Sequence, residues 1–147
     1  MAEKLEAEKQ KQTKQRILVV NDTQSILEMF REILEFEGFE VILSSFPLQK
    51  VQEIEHIQPD LIILDFIFGA QKIGWQMLQL LKMHHPTARI PVIVCTAAIN
   101  EVQEQEGYLV SQGIQILYKP FDIDLLLETI NQAFKLEGAT LHSREEA

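Results

Sequence analysis

The sequence predicts an α/β domain built on an open, doubly wound, five-stranded parallel sheet. Two observations predict it: five short β-branched runs that hardly alternate in polarity, and single segments of helical spacing between them. Strands that do not alternate are covered on both faces, and each parallel crossover needs a covering helix. In 147 residues this leaves room for one sheet of five βα units and excludes an eight-unit barrel.

The elements follow in order. Ile17-Leu18-Val19-Val20 is the first strand; Ile26, Met29, Phe30, Ile33 and Glu37 then share one helical face, and Gly38 ends that helix. Val41-Ile42-Leu43 is the second strand, followed by a helix that begins near Pro47 and carries Val51, Ile54 and Ile57. Leu61-Ile62-Ile63-Leu64 is the third strand, and Trp75, Met77, Leu78 and Leu81 mark the third helix. His84-His85 close that helix before Pro86, where the dipole favours them. Ile90 to Cys95 is the fourth strand, and Asn100 is placed to cap a fourth helix with a thin apolar face of Val102, Tyr108 and Leu109. Ile114-Gln115-Ile116-Leu117 is the fifth strand; Asp122 caps a fifth helix with Ile123, Leu126, Leu127, Ile130 and Phe134 inward. Residues 1–16 are expected to be a flexible charged arm, 17–135 the domain, and 136–147 a C-terminal tail too short for a second domain.

Charge and cysteine content narrow the function. The net charge is −9, with +2 on residues 1–16 and −11 on the rest, and an acidic body lacks the basic face that direct nucleic-acid binding requires. No apolar stretch is long enough for a membrane span or a signal peptide. The single Cys95 lies in an apolar run and reads as a buried thiol, so a reducing, cytoplasmic compartment is expected.

In open parallel sheets, ligands sit beyond the carboxyl ends of the strands. Four of the five strands end in polar or ionisable residues: Asn21-Asp22, Asp65, Thr96 and Lys119 before Pro120. The second strand is the exception and is expected at an edge. Asp22 and Asp65 supply two hard oxygen ligands suited to Mg²⁺, and a carboxylate beside a metal is also a nucleophile toward phosphorus. Lys119 adds a positive charge and Thr96 a hydroxyl for phosphoryl oxygens. The set is complete for accepting a phosphoryl group, and the chain has neither a Gly-rich phosphate loop nor a Ser/His/Asp arrangement.

From about Arg16 to Phe134 the chain resembles the receiver domain of bacterial two-component response regulators. The resemblance rests on Val19-Val20-Asn21-Asp22, Pro59-Asp60-Leu61-Ile62-Ile63-Leu64-Asp65, Cys95-Thr96-Ala97-Ala98 and Tyr118-Lys119-Pro120-Phe121, in that order. It implies a flavodoxin-like sheet of order 2-1-3-4-5. Asp65 is then the phospho-acceptor, Asp22 a Mg²⁺ ligand, Ile67 a ligand through its backbone carbonyl, Thr96 the switch hydroxyl and Lys119 the phosphate-pairing lysine. The bond before Pro120 is expected cis. The implied partners are a sensor histidine kinase or histidine phosphotransfer protein and a downstream protein, with the face of helix four, strand five and helix five as the place for a homodimer.

Several positions depart from the family pattern. Asn21 stands where an acidic residue is usual and is expected to hold the metal through water. The loop from Phe66 to Gly74 is one residue longer than usual before its glycine. The usual switch aromatic is replaced by Ile116, and Tyr118 nearby is expected on the opposite face of the strand because strand side chains alternate. Ile67 and Ala98, best placed to hold a hydrolytic water, cannot hydrogen-bond one, so slow autodephosphorylation is expected. With no effector region expected after the fifth helix, the reading is a single-domain receiver that signals through protein contacts and is not an enzyme toward a free substrate. The alternative is a pseudo-receiver that keeps the fold as a binding module and is never phosphorylated. An aspartyl-phosphate phosphohydrolase would need an acid/base Asp where Ile67 stands.

Overall fold

A computed structural model describes residues 14–45, 51–66, 71–97 and 106–146, with backbone alone for 65–66, 71–74 and 136–146. Strands β1 (Arg16–Val20), β2 (Glu40–Ser44), β3 (Leu61–Phe66), β4 (Val92–Thr96) and β5 (Ile114–Tyr118) alternate with helices α1 (Gln24–Phe36), α2 (Val51–Ile57), α3 (Gln71–Met83), α4 (Glu106–Ser111) and α5 (Ile123–Glu146). All strand pairs are parallel and the order is β2-β1-β3-β4-β5, with β2 at an edge as its sequence position predicts.

The alternation of strand side chains divides the core into two layers. Ile17, Val19, Ile63, Ile93, Cys95 and Leu117 pack under Leu27, Phe30 and Leu34 of α1 and Leu126, Ile130 and Ala133 of α5. On the other face, Leu18, Val20, Ile62, Leu64, Val92 and Val94 meet Ile54 of α2, Met77, Leu78 and Leu81 of α3, and Leu109 of α4. Each fully buried large side chain contributes roughly 1.5–3 kcal/mol by leaving water. Cys95 is buried as expected.

Local chemistry sets the element ends. Helix α1 stops in a Schellman turn: Gly38 has φ of 90°, its N–H donates to the Glu35 carbonyl, and the Phe39 N–H donates to the Leu34 carbonyl. Asp122 caps α5 as predicted, its Oδ1 accepting the Leu125 N–H at 2.7 Å. At the amino edge of the sheet Arg16 ties three elements together: its N–H donates to Asp60, its guanidinium to the Ile57 carbonyl, and Nε lies 3.2 Å from Glu40. His84 follows α3 with its N–H on the Leu80 carbonyl and its Nε2 2.9 Å from Glu55 of α2.

The structure corrects several sequence expectations. The buried face of α1 is Leu27, Phe30 and Leu34, flanked by half-buried Ile26 and Ile33, while Met29 and Glu37 are exposed. The helix is rotated so that its narrow leucine stripe meets the sheet. Strand β4 begins at Val92 because the Ile90 N–H is committed to the Thr87 carbonyl in a turn and Pro91 has no N–H to offer. Ile123 is 51% exposed, since it opens α5 beside its cap rather than over the sheet. That helix also continues past Lys135 to Glu146, through the segment expected as a tail. Asn100, Val102 and Pro47 lie outside the described residues. No helix among the described residues is long and apolar enough to cross a membrane.

Candidate functional site at the carboxyl edge of the sheet

Strand register brings the polar strand ends together. Val20 pairs with Leu64, so Asn21 continues beside Asp65; Asp65 pairs with Cys95, Phe66 with Thr96, and Thr96 with Tyr118. The Lys119 N–H extends the ladder to the Thr96 carbonyl at 2.9 Å, and the Lys119-Pro120 bond is cis, as the resemblance implies. Asp65 therefore has Asn21 on one neighbouring strand and Thr96, one residue past its partner Cys95, on the other, with Lys119 one strand further across.

Around Asp65 the site grades from buried to exposed. Asn21 and Thr96 are wholly buried, Lys119 is half-buried, and Asp22 is exposed at the rim. Asp22 does not cap α1; the N-cap is Thr23, whose hydroxyl donates to Asp22 Oδ1 at 3.2 Å. Two carboxylates at one strand edge are the hard, anionic oxygens that Mg²⁺ takes alongside water and phosphoryl oxygens, so Asp22 and Asp65 fit that ion chemically. No cluster of three His, Cys, Asp or Glu residues forms among the described residues. Ile67, Phe68 and Ala98 lie outside the described residues.

Asn21 is held at two points. Its backbone N–H donates to the Ser44 carbonyl at 3.1 Å, and its Oδ1 accepts the Thr23 N–H at 2.7 Å, which fixes the amide plane. Its Nδ2 is buried without a hydrogen-bond partner among the described residues. A buried donor left unpaired costs about 1–3 kcal/mol.

Beyond Thr96, β5 overturns a prediction. Ile116 and Tyr118 are two residues apart, so the pleat returns them to the same face, and both pack against the layer that holds Leu109. The Tyr118 hydroxyl is covered and has no partner among the described residues. Burial, and then the negative charge of Glu106, raises its pKa above the ordinary 10.0. Sequence reasoning missed this residue through the count along the strand, although the period-2 rule contained the signal. Trp75, one of the residues that mark the third helix in the sequence, packs half-buried against the same layer.

Comparison with known proteins bears on the whole domain. The chain is 32% identical over 120 residues to the phosphate regulon transcriptional regulatory protein PhoB of Klebsiella pneumoniae, covering 82% of this chain and 52% of that protein. It is 30% identical over 115 residues to the DNA-binding dual master transcriptional regulator RpaA of Synechocystis sp., covering 78% and 47%. The chain thus spans about half the length of these curated relatives. Among solved structures, the chemotaxis response regulator CheY4 of Vibrio cholerae superposes with a TM-score of 0.69 at 25% identity, covering 82% of this chain and 99% of that one. A sequence profile described as response regulator receiver domain matches residues 17–131. With the parallel sheet in order 2-1-3-4-5 and Asp65, Thr96 and Lys119 gathered at its carboxyl edge, the chain belongs to the response regulator receiver domain family of two-component signalling.

Proposed function

We propose that the domain accepts a phosphoryl group on Asp65 from the phosphohistidine of a sensor kinase or phosphotransfer protein. A carboxylate oxygen of Asp65 attacks phosphorus as the P–N bond breaks; the electron pair returns to the imidazole nitrogen, which takes up a proton, and Asp65 becomes an acyl phosphate. Asp22 and Asp65, with the Ile67 carbonyl, would hold Mg²⁺, and Mg²⁺ would neutralise charge that develops on the phosphoryl oxygens. Lys119 pairs with a phosphoryl oxygen and Thr96 donates its hydroxyl to another. The observation that carries this reading is the register that sets Asp65 between Asn21 and Thr96, with Lys119 bonded to the next rung.

The domain acts as a substrate for its partner and has no turnover of a free substrate. Output runs through protein contacts, with Tyr108 and Val110 of α4 and Ile123 and Leu125 of α5 exposed for a downstream protein or a second copy. The acidic body favours protein over nucleic acid as this chain's own contact, and a cytoplasmic location beside its kinase is in keeping with the single, buried Cys95. Ile67 and Ala98 carry side chains that cannot hydrogen-bond a hydrolytic water, so the phosphorylated state is expected to be long-lived; Ile67→Asn combined with Ala98→Glu is expected to speed its decay, read by intact mass against time.

The decisive experiment is intact mass after incubation with a small acyl phosphate and Mg²⁺. One added phosphoryl group is expected, absent in Asp65→Asn and after chelation. No mass gain with any donor or kinase would make the chain a pseudo-receiver, a binding module alone.

A further inference from the structure

We infer that Asn21 holds the phosphoryl oxygen on the acceptor through its side-chain nitrogen, rather than the metal's water through its side-chain oxygen. The inference rests on the phospho-acceptor reading above and assigns this residue a role on the anion side of the site. Three observations carry it. First, Asn21 follows the last rung that pairs β1 with β3, which sets it beside Asp65. Second, the amide has one orientation: Oδ1 accepts the Thr23 N–H at 2.7 Å, and the flipped amide would set two donors against each other at that distance. Third, Nδ2 is thereby turned away from the Thr23 turn, in a side chain of 0% exposure, with no acceptor among the described residues.

A buried donor at the edge of an anion site is matched by an oxyanion, and it repels a cation. An aspartate at this position would keep the bond to the Thr23 N–H and put an oxygen where Nδ2 now lies. It would thereby exchange a donor to the phosphoryl group for a ligand to the metal. The Asn21 site therefore depends less on its cation to hold the anion in place.

The test uses the full chain labelled with ¹⁵N and fluorine NMR of beryllofluoride, an anion that mimics a phosphoryl group on a carboxylate. With Mg²⁺ and beryllofluoride, a bound fluorine signal is expected in the unmodified protein and none in Asp65→Asn. The Asn21 Nδ2 proton pair, identified by its absence in Asn21→Asp, is expected to move downfield on loading, with solvent exchange slowed about tenfold. After EDTA removes Mg²⁺, the complex of Asn21→Asp is expected to dissociate about tenfold faster than the unmodified one. A bound fluorine signal with the Nδ2 pair unmoved would overturn the role of Asn21 and leave the acceptor reading intact. Equal or slower dissociation in Asn21→Asp would do the same. Absence of any bound fluorine signal would overturn the acceptor reading, and this inference with it.

Discussion

Leu34 in α1 and Leu109 in α4 are buried to the same depth, at 0% and 1% exposure, in helices that otherwise differ. Helix α1 has 13 residues, three side chains in the core and a Schellman stop. Helix α4, as described, has six residues and one buried side chain, flanked by Tyr108 and Val110, each 60% exposed. The strands beneath repeat the contrast, for β1 and β4 are almost wholly buried and β5 is half-buried, with a phenol that has no partner among the described residues. Asp65 therefore sits on a strand between well-buried β1 and β4, while Thr96 leads toward a part with less burial to lose. Local opening costs least where few apolar contacts are made, so on the proposed reading a response to a charge placed at Asp65 is expected to run through α4.

The largest expected effect tests packing directly. Leu34→Ala should cost about 4 kcal/mol in urea unfolding, against about 2 kcal/mol for Leu109→Ala, because Leu34 lies in a helix held by three core side chains, whereas Leu109 lies between exposed Tyr108 and Val110, where the chain can shift to fill the hole. Equal losses would break the contrast. The next effect concerns signalling: on loading with beryllofluoride, amide exchange should change about tenfold between Thr96 and Tyr108, near 1.4 kcal/mol, and little in α1. Changes confined to β5 and α5 would contradict this route, since Ile116 has no ring to carry a signal along β5.

A smaller gain is expected from Tyr118→Phe. Removing a covered hydroxyl that has no partner among the described residues should stabilise the domain by about 1 kcal/mol, read as a higher urea midpoint at unchanged slope. The pH dependence has a definite sign. The Tyr118 pKa is raised in the folded state, so above the unfolded value the unfolded chain loses a proton that the native state keeps, and stability falls as pH rises from about 10 toward the folded pKa. Tyr118→Phe should lessen that fall; an unchanged alkaline titration would show the phenol to be solvated. The smallest effect is at the well-packed end: Asn21→Asp adds a negative charge beside Asp22 and Asp65 and should tighten Mg²⁺ about threefold by titration. Equal or weaker binding would remove Asn21 from the neighbourhood of the metal.

What the sequence by itself determined was whatever depends on short-range chemistry. The β-branched runs specified five strands, Gly38 and Asp122 specified a helix stop and a helix start, and the polar residues after the strands marked the edge where the site forms. Each follows from backbone preferences or burial that a few neighbouring residues express. Tertiary structure alone decided the rest. Which stripe of α1 meets the sheet depends on docking against β1 and β2, so Leu27 and Leu34 replaced Met29 on the buried face. Where β4 begins depends on a turn bond from Ile90 to Thr87. The cap of α1 and the orientation of the Asn21 amide were settled together, because Thr23 presents its N–H to Oδ1 only once Asn21 is held on the Ser44 carbonyl of the neighbouring strand. An amide has a donor end and an acceptor end of nearly equal size, and composition and spacing do not distinguish them; only a partner brought in from elsewhere in the fold does.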